Sequence, residues 1–246
     1  MFVIIALALF PLAPDSVITL SAEFNRGIMH EGYIYLSPFT GNAIFRLTDS
    51  GNLESISFTD NLNYRIYEFQ MNPFAVYINT GTAIEKFYLA SAAKEVVYTA
   101  RTISSFIVTL AEDIVLADHT QQELLFLDFT NHIKYRLFDV NARDLAFSGN
   151  MVYVLTQGSV LIIDEHANII EEKKIPERFS NIYVGHEAIY LYSKNKKYFY
   201  ILNRTWQRVD FPSGISDIFG NDRIVVILDG ASNHLSIYNK ARIEQQ

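Results

Sequence analysis

The chain has 246 residues, a formal net charge of −7 and no cysteine, which together exclude disulfides, thiolate metal ligands and cysteine nucleophiles. An acidic surface repels phosphate backbones and anionic bilayers, so nucleic acid is a poor partner for it. Half of the residues are hydrophobic, rich in the Ile, Val, Tyr and Phe that suit a pleated, half-buried surface.

At the N-terminus, Phe2 to Phe10 form an unbroken apolar run, followed by Pro11-Leu12-Ala13-Pro14. The run is too short to span a bilayer as a helix but has the length of the core of a secretory signal. Residues 1–14 are therefore read as a signal or its remnant, which places the protein outside the cytoplasm, secreted or periplasmic. No Lys or Arg precedes the run, and the competing expectation is a buried first strand of a cytoplasmic protein. No other segment reaches transmembrane length without charges. Residues 15–246 are expected to form one domain.

From Ser16 onward the chain repeats. The apolar triplets Ile34-Tyr35-Leu36, Val76-Tyr77-Ile78, Ile114-Val115-Leu116, Val152-Tyr153-Val154, Ile189-Tyr190-Leu191 and Ile224-Val225-Val226 recur at intervals of 42, 38, 38, 37 and 35 residues. That spacing is close to one four-stranded propeller blade per repeat. The fourth repeat is the clearest. Asp144–Ser148 reads as a strand, Gly149-Asn150 as a hairpin turn that requires positive φ, and Met151–Leu155 as a second strand. Val160–Asp164 follows as a third strand, and Ile169–Ile175 alternates apolar and charged residues, as a solvent-facing outer strand does.

Further third strands are read at Ile44–Leu47, Phe87–Leu89, Leu124–Leu127, Phe199–Leu202 and Leu235–Tyr238. Outer strands are read at Leu53–Phe58, Glu95–Ala100, Ile133–Phe138 and Trp206–Phe211. The sixth repeat lacks an outer strand, because the tail after Asn239 is short and polar. The missing strand is assigned to the other end of the chain, with Val17–Leu20 pairing near Leu235–Tyr238 and removing two exposed edges. The expected fold is all-β: a six-bladed β-propeller of four-stranded antiparallel blades, its ring closed by the N-terminal strand.

The run Gly149-Asn150-Met151-Val152-Tyr153-Val154, followed by Val160–Asp164, resembles the six-bladed propellers of the NHL and TolB-like group, with looser copies from about Val17 to Tyr238. The resemblance implies an architecture that hosts binding modules and enzymes alike. Metal-dependent lactonase-type propellers place carboxylates around a central ion. By that analogy Glu68, Glu112, Asp144 and Asp217, with Asp113 and Asp222 nearby, are the alternative ligands for Ca²⁺ or Mg²⁺.

Catalytic motifs are missing. His186-Glu187-Ala188-Ile189-Tyr190 begins like a zinc-protease helix but ends in Tyr and falls on a hairpin. No nucleophile elbow, P-loop or dinucleotide fingerprint is present. Five arginines, Arg26, Arg65, Arg101, Arg143 and Arg178, precede successive inner strands, on connections that a propeller gathers on one face. They are the candidate ligand-binding residues, converging as a positive funnel for carboxylate or phosphate. The competing expectation is that nearby acids neutralise them as exposed pairs. Short connections and absent motifs favour a non-catalytic scaffold, without a cofactor, that recognises a protein, polymer or anionic ligand through the face at the channel mouth. The alternative is a lactonase-like hydrolase or lyase. A structural subunit of an assembly, anchored by Phe39, Tyr64 or Phe179, is a third reading.

Overall fold

The computed structural model describes residues 13–91, 93–109, 111–185, 188–230 and 233–243. The signal assigned to residues 1–14 lies outside these up to residue 12, as do His186 and Glu187. The first strand is β1 (Ser16–Thr19). Blade 1 is β2 (Arg26–His30), β3 (Tyr33–Ser37), β4 (Ala43–Leu47) and β5 (Leu53–Ser57). Blade 2 is β6 (Glu68–Met71), β7 (Ala75–Asn79), β8 (Ala83–Tyr88) and β9 (Lys94–Thr99). Blade 3 is β10 (Ile103–Val108), β11 (Ile114–Asp118), β12 (Glu123–Leu127) and β13 (Ile133–Leu137). Blade 4 is β14 (Asp144–Ser148), β15 (Met151–Leu155), β16 (Ser159–Ile163) and β17 (Ile169–Lys174). Blade 5 is β18 (Asn181–Val184), β19 (Ile189–Tyr192), β20 (Tyr198–Leu202) and β21 (Trp206–Asp210). Blade 6 is β22 (Ile215–Gly220), β23 (Ile224–Asp229) and β24 (His234–Asn239), completed by β1. The expected six-bladed propeller is the observed fold.

Closure follows the assigned pairing. β1 runs antiparallel to β24 with Ser16 opposite Ile237, Val17 opposite Ser236, Ile18 opposite Leu235 and Thr19 opposite His234. Asp15 extends the seam through its backbone N–H, which donates to the Ile237 carbonyl at 2.9 Å.

Each strand near the axis is covered on both faces, so its alternating side chains feed two neighbouring junctions. Val76 and Ile78 of β7 pack into the cluster between blades 1 and 2, while Tyr77 between them packs toward blade 3. Six apolar clusters result, one at each blade junction. This double burial explains why the second strands read as continuous apolar triplets, whereas the outer strand Ile169–Lys174 is largely exposed and carries four charged residues.

Turn chemistry matches the reading. Gly149 and Asn150 both have positive φ, 57° and 64°. Asp164 Oδ1 accepts from the His166 and Asn168 amides at 2.9 and 2.8 Å, an Asx turn of the expected kind. Three local differences appear. β8 begins at Ala83, earlier than read, because Glu85 and Lys86 resemble turn residues but pair with Lys94 and Glu112. The tail forms one helical turn, α1 (Lys240–Ile243), which buries Ile243 against Tyr238 and its neighbours. Phe179, read as an exposed anchor, is buried edge-to-face against Tyr200, while Phe39 is exposed and Tyr64 half-buried. Among the described residues, no helix is long and apolar enough to cross a membrane.

Candidate functional site: a polar belt at the channel axis

One polar side chain stands at or near the start of each inner strand: Arg26, Glu68, Ser105, Asp144, Asn181 and Asp217. In blades 3 and 6 a register shift immediately before Ser105 and Asp217 brings that residue to the shared level. Every member but Arg26 is buried, and the Arg26 side chain is only 15% exposed.

The belt's first task follows from sheet chemistry. An inner strand is a sheet edge, and half of its N–H groups lack a partner within the blade. Belt residues supply the acceptors from the preceding blade. Asp217 Oδ2 accepts from the Gly27 amide at 2.8 Å, and Glu68 Oε2 from the Phe106 amide at 3.0 Å. Ser105 Oγ accepts from the Leu145 amide at 3.2 Å, and Asp144 Oδ2 from the Ile182 amide at 2.9 Å. Four of the six junctions are thus stitched by one repeated interaction.

Arg26 performs a second task. Its Nη1 donates to Asp217 Oδ1 at 3.2 Å on blade 6, and its Nε to the Tyr67 carbonyl at 3.4 Å on blade 2. The Asn181 amide, with its oxygen toward Arg26, lies 3.1 and 3.2 Å from the two terminal guanidinium nitrogens on blade 5. A side chain from blade 1 that reaches blades 2, 5 and 6 lies across the axis. The Tyr192 hydroxyl adds a short hydrogen bond to Asp217. Burial opposes the charge on Arg26, but Asp217 and then Asp144 outweigh it and hold the guanidinium firmly protonated.

The carboxylates respond in the opposite sense. Burial first, then repulsion from Asp144, pushes the Glu68 carboxyl up to about 8 from an ordinary 4.5. Burial likewise raises Asp144. Ser105 donates to Glu68 Oε1 at 3.1 Å. Glu68 is thus held toward its protonated form at neutral pH, and Arg26 faces the carboxylates of Asp144 and Asp217. A carboxyl raised on folding stabilises fully below its unfolded value and loses that contribution as pH rises through the folded value. The melting temperature of the wild type is expected to fall between pH 5 and 8, with roughly 4 kcal/mol of stability lost. Glu68→Gln, which keeps one acceptor and one donor, is expected to flatten that profile in thermal melts; a slope identical to wild type would refute a protonated Glu68.

Beyond the belt the channel widens into a cavity of about 350 Å³, lined by residues of all six inner strands, Ile28, Gln70, Ile107, Ala146, Tyr183 and Phe219 among them. The sequence-predicted residues distribute as follows. Glu68, Asp144 and Asp217 do share the axis, whereas Glu112 sits on the β10–β11 hairpin paired with Lys86 at 3.3 Å. No group of three or more His, Asp or Glu among the described residues is placed to hold a metal ion. Of the arginines, Arg26 alone enters the channel. Arg65 and Arg101 line a separate groove of about 640 Å³ over blade 2. Arg143 lines a neighbouring depression of about 390 Å³, with Nη1 donating to the Phe179 carbonyl at 3.2 Å. Arg178 donates to the Gln157 amide oxygen, 2.6 Å from its Nη2. Four arginines thus lie on the outer-to-inner connections, Arg65 and Arg101 in one groove and Arg143 in another, and a single funnel does not form.

Ser105 and Asn181 escaped sequence reasoning. Their signal was positional: each falls near the start of an inner strand at the blade interval, the level held by the charged members of the belt.

No family model matches the chain, and no curated protein matches its sequence. Solved structures do match in shape. A gluconolactonase from Xanthomonas campestris superposes with a TM-score of 0.70 at 11% identity, over 91% of this chain and 89% of that one. A streptogramin B lyase superposes with a TM-score of 0.63 at 12% identity, over 91% and 86%. BamB from Moraxella catarrhalis superposes with a TM-score of 0.54 at 12% identity, over 86% and 74%. Two enzymes and BamB share this shape, and at such identities the likeness concerns the fold. The chain is a six-bladed β-propeller carrying an arginine across its axis.

Proposed function

We propose that the protein is a non-catalytic binding scaffold outside the cytoplasm, recognising a protein or other anionic ligand through the face that carries its outer-to-inner connections. The observation supporting this reading is Arg26. Its guanidinium lies among Asp217, Asp144 and Glu68, where a central cation would otherwise sit, and the carboxylates are engaged by it and by backbone amides. A buried, satisfied belt of this kind holds blades together and offers no open coordination position. The apolar run Phe2–Phe10 supports the placement outside the cytoplasm.

Elemental analysis of the purified protein, combined with Ca²⁺ and Mg²⁺ titration followed by thermal melts, tests the scaffold against the lactonase-like alternative. The expected result is no stoichiometric metal, no metal-dependent rise in melting temperature and no acceleration of gluconolactone hydrolysis. One bound divalent ion per chain together with metal-dependent hydrolysis would establish the enzyme instead.

A further inference from the structure

The groove over blade 2 has features that the rest of the connection face lacks. Its main wall is the connection 58–67, longer than the five other outer-to-inner connections. That segment is braced rather than loose. Gly41 N–H donates to the Tyr64 carbonyl and Ile66 N–H to the Phe39 carbonyl, each at 2.9 Å, and Thr40 bridges Arg65. The Asn61 side chain accepts from the Asn63 amide at 3.0 Å. The Phe39 and Tyr67 rings meet edge-to-face at 5.2 Å.

Two kinds of unsatisfied surface meet there. Leu62, Phe39 and Tyr67 are 70%, 46% and 39% exposed, a concentration of large apolar groups at one braced loop pair. Arg65 and Arg101 line the groove beside them, and no carboxylate does. Among the described residues neither arginine forms an ion pair, although Arg46 on β4 and Arg136 and Arg208 on outer strands each have one. Uncompensated cations on a chain of net charge −7 mark a place prepared for a negative partner. Guanidinium groups favour carboxylates held bidentately, and the braced wall lowers the ordering entropy of binding. The chain's overall negative charge and the exposed Leu62 disfavour a nucleic-acid backbone.

We propose that this groove binds an acidic peptide segment of a partner protein, with Arg65 and Arg101 taking its carboxylates and an apolar side chain of the peptide seated on Leu62, Phe39 and Tyr67. The inference rests on the scaffold reading and narrows it to one site and one ligand chemistry.

A displayed library of random peptides about twelve residues long, selected on the immobilised full chain, tests it. Enriched sequences are expected to combine Asp or Glu with one aromatic or aliphatic residue. The leading peptide, synthesised, is expected to lose at least about tenfold in affinity on Arg65→Glu/Arg101→Glu and to weaken with added salt. Both arginine side chains are exposed and unpaired, so that variant is expected to melt with the wild type. Peptides that bind it undiminished but fail on Arg143→Glu/Arg178→Glu would overturn the groove and leave the connection face as the binding surface. Peptides indifferent to both variants, or no enrichment, would overturn both. Binding of single-stranded DNA that depends on Arg65 and Arg101 would overturn the peptide assignment.

Discussion

Deleting residues 1–19 is expected to lower the melting temperature by about 10 °C or more. The deletion removes β1, and with it four paired positions along β24 and the packing of Ile18 on the cluster that contains Leu235, Leu228 and Val226. Lost apolar burial and lost ladder hydrogen bonds together amount to roughly 3–5 kcal/mol. A chain of this size shifts its melting point by about 2–4 °C per kcal/mol. The edge of β24 then becomes free to pair with another molecule, so association at high concentration is expected as well. Ile18→Asp, which sets a charge against the same cluster, is expected to reproduce part of the loss without shortening the chain. Differential scanning calorimetry reads both variants. A truncated protein melting with the wild type would mean that the N-terminal strand does not hold the ring.

The second large effect concerns Asp217. One carboxylate serves Arg26, the Gly27 amide and the Tyr192 hydroxyl, so Asp217→Ala strands a buried cation and two donors at once. Removing one partner of a buried ion pair costs about 3–5 kcal/mol, mostly from the charge left behind. On that reasoning Arg26→Met/Asp217→Leu is expected to be more stable than Asp217→Ala alone, because an apolar pair needs no partner. Urea unfolding of Arg26→Met, Asp217→Leu and the double variant measures the coupling. Strict additivity would show that Arg26 does not depend on Asp217, and the account of the axis would fail.

Both effects arise where the chain's periodic reading and its chemistry meet. The blade spacing was legible because the second strands are buried on both faces and stay apolar in every copy, as Val76-Tyr77-Ile78 does. The closing strand was legible by elimination, since five outer strands could not complete six blades. β8 was read short because Glu85 and Lys86 carry charges that pair with Lys94 on the adjacent strand and with Glu112 on the neighbouring blade. The helical turn at Lys240–Ile243 was missed because no periodic signal exists over four residues.

The belt was half legible. Arg26 was grouped with surface arginines, and Glu68, Asp144 and Asp217 with metal ligands, on the strength of residue type. In the structure the cation and the acids belong to one constellation. Residue type suggested two sites; position within the repeat would have shown one. Whether a charged group faces a neighbour across the axis depends on a register shift of one residue, as before Ser105 and Asp217, and no local pattern encodes that shift. The arginines of the connection face divide between depressions, Arg65 and Arg101 in one and Arg143 in another, a separation that the sequence spacing does not encode.

A cross-link across the closing seam tests the architecture most directly. The chain has no cysteine, so Val17→Cys/Ser236→Cys introduces the only two thiols, at directly opposed positions of β1 and β24. Mild oxidation is expected to give an intramolecular disulfide in the monomer, seen as faster migration on a non-reducing gel and as loss of both free thiols. Two thiols that stay reduced, or that link only between molecules, would contradict a ring closed by its own N-terminal strand.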